Sequence, residues 1–215
     1  DLDVRLTPVT QQWAVCTLSG PKAREVLTQV PSELDLSAEA FPHMAVQQGI
    51  LAGVPARIFR VSFTGEISYE INVPAQYGLA LWQRLMEAGA SVGITPYGIE
   101  ALEILRTEKG YLHVGTDTDG TTCPDDVGWG GPVKKKPADF IGKRSLARAA
   151  NTATGRLQFV GLAAADNQPL PIGGHLIATE KPVMPIETQG YVTSSHYSPS
   201  LNRPVALGLL KNGRQ

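Results

Sequence analysis

Cysteine is scarce: Cys16 and Cys123 are the only two in 215 residues. A disulfide scaffold is thereby excluded, and neither cysteine has a Cys or His partner at metal-ligand spacing. An excess of charge of either sign is lacking as well. Nineteen Lys and Arg face 20 Asp and Glu, a net charge of −1, which gives no long-range attraction to nucleic acid or to an anionic membrane. No stretch approaches the roughly 20 apolar residues of a membrane helix. Gly-x-Gly-x-x-Gly, the phosphate-binding Gly-x-x-x-x-Gly-Lys loop, the Gly-x-Ser-x-Gly elbow and Cys-x-x-Cys are all absent, so nucleotide, flavin-phosphate, triad-hydrolase and dithiol chemistry have no local support. Repeats and low-complexity tracts are lacking too. The first residues carry neither a basic n-region nor an apolar h-region, which argues against a signal peptide and for a cytoplasmic location. The missing initiator Met and the abrupt Lys-Asn-Gly-Arg-Gln end read as a segment of a longer chain.

What is present is an ordinary globular balance, 42% apolar and 18% charged, in a chain long enough for one or two domains with a sizeable core. The most informative stretch is Arg60-Val-Ser-Phe-Thr-Gly-Glu-Ile-Ser-Tyr-Glu-Ile-Asn-Val73. Residues alternate in character on both sides of Thr64-Gly65, predicting two strand-like runs joined by a bend. Ile67, Tyr69, Ile71 and Val73 share one face; Glu66, Ser68, Glu70 and Asn72 share the other. Glu70 thus sits mid-strand. Periodicity alone favours a solvated carboxylate there. A carboxylate fixed on a rigid strand also suits a ligand edge bearing two adjacent N–H donors.

Taken in order, Val4–Leu6 reads as a short strand and Trp13–Leu18 as a buried one. Ser19-Gly20-Pro21 then opens a helix, Ser19 as N-cap, with Ala23, Val26, Leu27 and Val30 as its apolar stripe. Residues 50–59 form a hairpin turning near Gly53. A helix follows Pro74 and ends at Gly89. Thr95-Pro96 opens another, with Ile99, Leu102 and Leu105 as its stripe and Gly110 as its stop. On that helix Arg106 is one turn from Glu103, a pairing worth little at a surface. Asp117–Asp126 holds four carboxylates but lacks the order of an EF-hand loop, so a structural loop is the better reading. Lys134, Lys135, Lys136, Lys143, Arg144 and Arg148 form a basic cluster, read first as a solvated approach to a helix, with attraction of an anionic ligand tail or docking to an acidic neighbouring subunit as the alternative. From about Gly155, short strands at 157–163, 175–178, 189–195 and 205–210 predict a small antiparallel module. His196, in its Ser/Tyr-rich loop, reads as a surface residue before a proton shuttle.

Phe63-Thr-Gly-Glu-Ile-Ser-Tyr-Glu70 resembles the Tyr-x-Gly-Glu-x-Gly-x-Glu element of the aminomethyltransferase (glycine-cleavage T-protein) family. Leu105-Arg106-Thr-Glu108-Lys-Gly110 resembles its Leu-Arg-x-Glu-x-Gly element. Further likenesses are the Thr121-Thr122-Cys123-Pro124 loop, Phe140-Ile-Gly-Lys, and Gly190-Tyr-Val-Thr-Ser-Ser-His-Tyr-Ser-Pro-Ser-Leu201. The resemblance implies an α+β, T-protein-like folate-binding fold followed by a small antiparallel β-barrel-like module, divided as 1–93, 94–153 and 154–215. It implies that Glu70 grips the pterin ring of tetrahydrofolate, that Phe63 (Tyr in the family) lines the same pocket, and that Arg106 is a second folate ligand. Ser68 stands where the family carries Gly. No metal is implied.

Asp117-Thr-Asp-Gly-Thr-Thr, Lys134–Leu146 and the Ser194–Pro199 loop look most like the carboxy-terminal half of heterotetrameric sarcosine oxidase alpha subunits. That implies a region holding tetrahydrofolate while it intercepts an amine-derived iminium to give methylenetetrahydrofolate and glycine. FAD, FMN and NAD would belong to other parts of the assembly, and further subunits would be partners, with neither nucleic acid nor membrane involved. The family's catalytic Asp belongs to an element upstream of Asp1, so the catalytic residue is left unassigned. A lipoyl-carrier-dependent aminomethyltransferase and a non-catalytic subunit-docking module remain as alternatives.

Overall fold

In the computed structural model, described for residues 3–214, a seven-residue strand β1 (Trp13–Ser19) leads directly into helix α1 (Ala23–Gln29). The predicted stripe of α1 is buried throughout: Ala23, Val26, Leu27 and Val30 are each 3% exposed or less. Its cap is not the predicted one. Lys22 occupies the N-cap position without a side-chain bond, and the Ser19 hydroxyl bonds Ser68 Oγ at 2.7 Å instead. The Val4–Leu6 strand is also not formed; those residues are irregular and exposed. With no neighbouring strand they have no ladder to join.

Strands β2 (Val46–Leu51) and β3 (Val54–Phe59) form the expected hairpin, turning through Ala52 and Gly53 at φ 52° and 78°. Two successive positive-φ residues match the right-handed twist of the flanking strands. Strand β4 (Ser68–Pro74) follows, and the four strands form an antiparallel sheet in the order β1-β4-β3-β2. Helix α2 (Gly78–Gly89) comes after a 3₁₀ turn at Ala75–Tyr77 and packs with α1 against one face of this sheet. Leu27, Phe41, Leu51, Ile58, Tyr69, Ile71 and Val73, all wholly buried, form the core there. Burying each large apolar side chain contributes about 1.5–3 kcal/mol.

The chain divides into two compact units, Asp1–Gly98 and Ile99–Gln215. The second starts with α3 (Ile99–Lys109). Thr95 and Pro96 do not open it: Thr95 Oγ1 donates back to the Gly93 carbonyl, and the helix begins four residues later. Its buried face also differs from the apolar prediction. Ile99 is 78% exposed, whereas Arg106 and Thr107 are buried. The stop is as read, with Gly110 at φ 69° and Tyr111 N–H bonded to the Arg106 carbonyl. Short helices α4 (Gly130–Lys135) and α5 (Ala149–Thr152) precede β5 (Leu157–Leu162), β6 (His175–Ile177), β7 (Thr188–Ser198) and β8 (Arg203–Lys211). These make the expected small antiparallel module, ordered β5-β8-β7-β6. Phe159, Leu207 and Leu209 centre its apolar cluster. Among the described residues no helix is long and apolar enough to cross a membrane.

Candidate functional site

The strand alternation that sends Tyr69, Ile71 and Val73 into the core of the first unit sends Ser68, Glu70 and Asn72 outward. Register makes the outward face explicit. Glu70 lies between Thr17 on β1 and Phe59 on β3; Asn72 lies between Val15 and Arg57. Glu70 is half-buried, and among the described residues no hydrogen bond or ion pair engages its carboxylate. Its backbone carbonyl accepts from Asn72 Nδ2 at 3.3 Å, so the main chain is tied while the side chain is left to a ligand. Ser68, wholly buried, uses its hydroxyl on Ser19, which also accepts from Tyr97 Oη at 3.3 Å. The sheet beneath Glu70 is therefore pinned on the β1 side.

Phe63 is not on a strand. The hairpin closes at Phe59↔Glu70, and residues 60–67 form a loop bent at Gly65, φ 79°. Phe63 is half-buried in that loop, and Thr64 beside it is 1% exposed. Below the loop the guanidinium carbons of Arg24 and Arg60 lie over the Tyr69 ring, 5.6 and 5.2 Å from its centroid. Arg24 donates to the Leu36 and Phe41 carbonyls and Arg60 to the Ser68 carbonyl. Both arginines thus hold loops against the core.

In the second unit Arg106 is 1% exposed and makes four hydrogen bonds. Nε donates to Glu103 at 2.6 Å, Nη1 to Asp117 at 2.6 Å and to the Tyr111 carbonyl, and Nη2 to Ser194 Oγ at 2.6 Å. Asp117, wholly buried, accepts in addition from the His113 amide and from the Thr193 and Ser194 hydroxyls. The other oxygen of Glu103 lies 3.0 Å from His113 Nδ1. A buried cation is tolerable only when paired and fully bonded, and here α3, the 111–117 loop and β7 supply the partners. His196 follows on β7, half-buried; burial first, then Arg106, lowers its pKa, against an opposing pull from Glu103 and Glu100.

The acidic loop is tied by hydrogen bonds within itself and to Arg156. Asp119 accepts from the Thr121 amide and hydroxyl, bonds that lower its pKa. Asp126 accepts from the Cys123 amide and pairs with Arg156 at 2.5 Å. Among the described residues no group of His, Cys, Asp and Glu is placed to hold a metal. Of the basic cluster, Lys134 pairs with Asp125, and Lys143 donates to the carbonyls of residues 136–138. Sequence reasoning passed over Thr17, Phe59, Arg57 and Trp13, which share the outward face with Glu70. Only strand register brings them there.

Compared with known proteins, residues 1–137 match the family model described as the GCVT N-terminal domain. Residues 158–215 match that of the glycine cleavage T-protein C-terminal barrel domain. The chain belongs to the glycine cleavage T-protein family. It is 43% identical over 222 residues to the sarcosine oxidase subunit alpha of Corynebacterium sp. (strain U-96), covering 100% of this chain and 22% of that protein. It is 33% identical to the aminomethyltransferase of Halothermothrix orenii, covering 94% of this chain and 54% of the relative. A crystal structure of glycine cleavage system aminomethyltransferase T from Bartonella henselae superposes with a TM-score of 0.73 at 27% identity, over 93% of this chain and 52% of that one. The chain thus spans about a fifth to a half of the length of these relatives.

Proposed function

We propose that this chain is the tetrahydrofolate-binding region of a sarcosine oxidase-type enzyme. The observation that carries the reading is Glu70: a half-buried carboxylate on the outward face of a pinned sheet, unengaged among the described residues. The greater identity to a sarcosine oxidase alpha subunit than to an aminomethyltransferase supports the choice within the family. A pterin edge presents two adjacent N–H donors, and an ionised carboxylate is the side chain that accepts both. The fit is therefore chemical, acceptor to donors, with the apolar Phe59 and Phe63 near the same strand end to cover a flat ring.

When bound, tetrahydrofolate supplies the amine that captures the one-carbon unit of an oxidised N-methyl amine. Glu70 orients the ring and Phe63 walls it. Holding the amine in place matters because water competes for the same electrophile. Arg106, which the resemblance makes a second folate ligand, has its guanidinium committed to Glu103, Asp117 and Ser194. FAD, FMN, NAD and further subunits belong in this reading to other parts of the assembly, and cytoplasmic sarcosine is its amine.

Calorimetric titration of the chain with tetrahydrofolate tests the proposal. Saturable binding supports it; no heat and no thermal stabilisation at saturating ligand reject it and leave a docking role. Co-purification with flavin-containing subunits separates it from a lipoyl-carrier-dependent aminomethyltransferase.

A further inference from the structure

We infer that Arg57, stacked on Trp13, forms an anion subsite on the outward face of the first sheet and holds the carboxylate tail of the ligand whose ring Glu70 takes. The inference rests on the folate reading and extends it to a second point of recognition. Of the outward strand positions Trp13, Val15, Thr17 and Ser19, Val46, Gln48 and Ile50, Pro55, Arg57 and Phe59, and Ser68, Glu70, Asn72 and Pro74, only Glu70 and Arg57 carry charge. One acceptor and one cation on an otherwise uncharged, partly apolar surface complement a ligand with a donor-bearing ring at one end and an anion at the other.

Their separation is set by register. Arg57 pairs with Asn72, and Trp13 pairs with Pro74. The Arg57 guanidinium carbon lies 5.2 Å from the Trp13 ring centroid, so the two side chains meet across β4, one from the Asn72 register and the other from the Pro74 register. Two to four residues of strand, from Glu70 to Asn72 and Pro74, put about 7–13 Å between Glu70 and that pair along the face. A ring joined to its carboxylate through a rigid aromatic spacer is a rod suited to such a span.

Arg57 is also under-used. Among the described residues its side chain makes no ion pair and no hydrogen bond, and its Nε is buried without a partner. A guanidinium in that condition gains from an oxyanion, which accepts two parallel N–H bonds, while the indole fixes its plane. The basic cluster of residues 134–148 is a weaker candidate for the tail, since Lys134 and Lys143 are already bonded.

The test is calorimetry of the full chain with tetrahydrofolate and with tetrahydropterin, which has the ring and no tail. Arg57→Gln and Arg57→Met are expected to weaken tetrahydrofolate about tenfold and leave tetrahydropterin unchanged, with Arg57→Lys in between. Equal losses for both ligands would make Arg57 a purely structural partner of Trp13 and overturn the inference. So would unchanged tetrahydrofolate affinity in folded variants. If the wild-type chain binds neither ligand, the folate reading itself falls and this inference falls with it; if it binds tetrahydrofolate and the Arg57 variants match it, only the inference is lost.

Discussion

Arg106 and Asp117 meet at 2.6 Å with side chains 1% and 0% exposed, and the two ends of that ion pair are not equally supported. Asp117→Asn leaves Arg106 beside Glu103 as a second carboxylate. Arg106→Met leaves Asp117 charged, wholly buried and without a cation, although three other donors remain. Removing one partner of a buried pair costs about 3–5 kcal/mol. Arg106→Met is therefore expected at the upper end of that range and Asp117→Asn below it, as read from urea unfolding midpoints. The reverse order would show that Glu103 does not share the charge.

Gly190 is fixed by packing. Its position on β7 would put a Cβ 1.9 Å from the Leu209 carbonyl oxygen. That oxygen belongs to the paired β8 backbone and cannot swing away. Gly190→Ala is expected to cost about 3 kcal/mol or more. Gly161 on β5 has open space at the same point, so Gly161→Ala should change stability by less than about 1 kcal/mol. Denaturant unfolding of the two variants checks the contrast.

These residues also show what a linear reading can and cannot see. Tyr69, Ile71 and Val73 were legible as a core face because strand alternation repeats every second residue. The α1 stripe was legible for the same kind of reason at helical period. Phe63 was not, because pairing stops at Phe59↔Glu70 and the alternation of residues 60–63 continues into a loop that has no partner strand. Arg106 was readable as chemistry but not as a buried group, since Asp117 and Ser194 lie 11 and 88 residues away in sequence. Ser19 was misassigned as a cap because its partner, Ser68, is 49 residues off. Local alternation puts Glu70 on the outward face; only long-range pairing puts Arg57 and Trp13 on that same face, opposite Asn72 and Pro74.

His196 should make the protein less stable in mild acid. Burial, with Arg106 adding to it, lowers its pKa below the ordinary imidazole value of 6.5. The unfolded chain then binds the proton more readily than the folded one. Its contribution to stability is present above about pH 6.5 and is lost as pH falls from there through the lower folded value. Unfolding midpoints at about pH 7.5 and about pH 5.5 should therefore differ more for the wild type than for His196→Gln. Equal slopes would mean that the imidazole titrates alike in both states.

Glu70 supplies the most direct test of function. Glu70→Ala removes the acceptor and leaves the ring's donors unpaired in a partly dry site, a loss of about 2 kcal/mol or more in tetrahydrofolate binding. Since the Glu70 carboxylate has no partner among the described residues, the same change should leave thermal stability nearly unaltered. Phe63→Tyr keeps the aromatic surface and adds the hydroxyl the family carries there. It is expected to fold and to bind at least as tightly as the wild type. Affinity lost in Glu70→Ala while the melting temperature holds identifies a ligand-facing carboxylate. Matched affinity in the two proteins would return Glu70 to the ordinary status of a charge at a sheet surface, and a Phe63→Tyr variant that unfolds would make Phe63 part of the core.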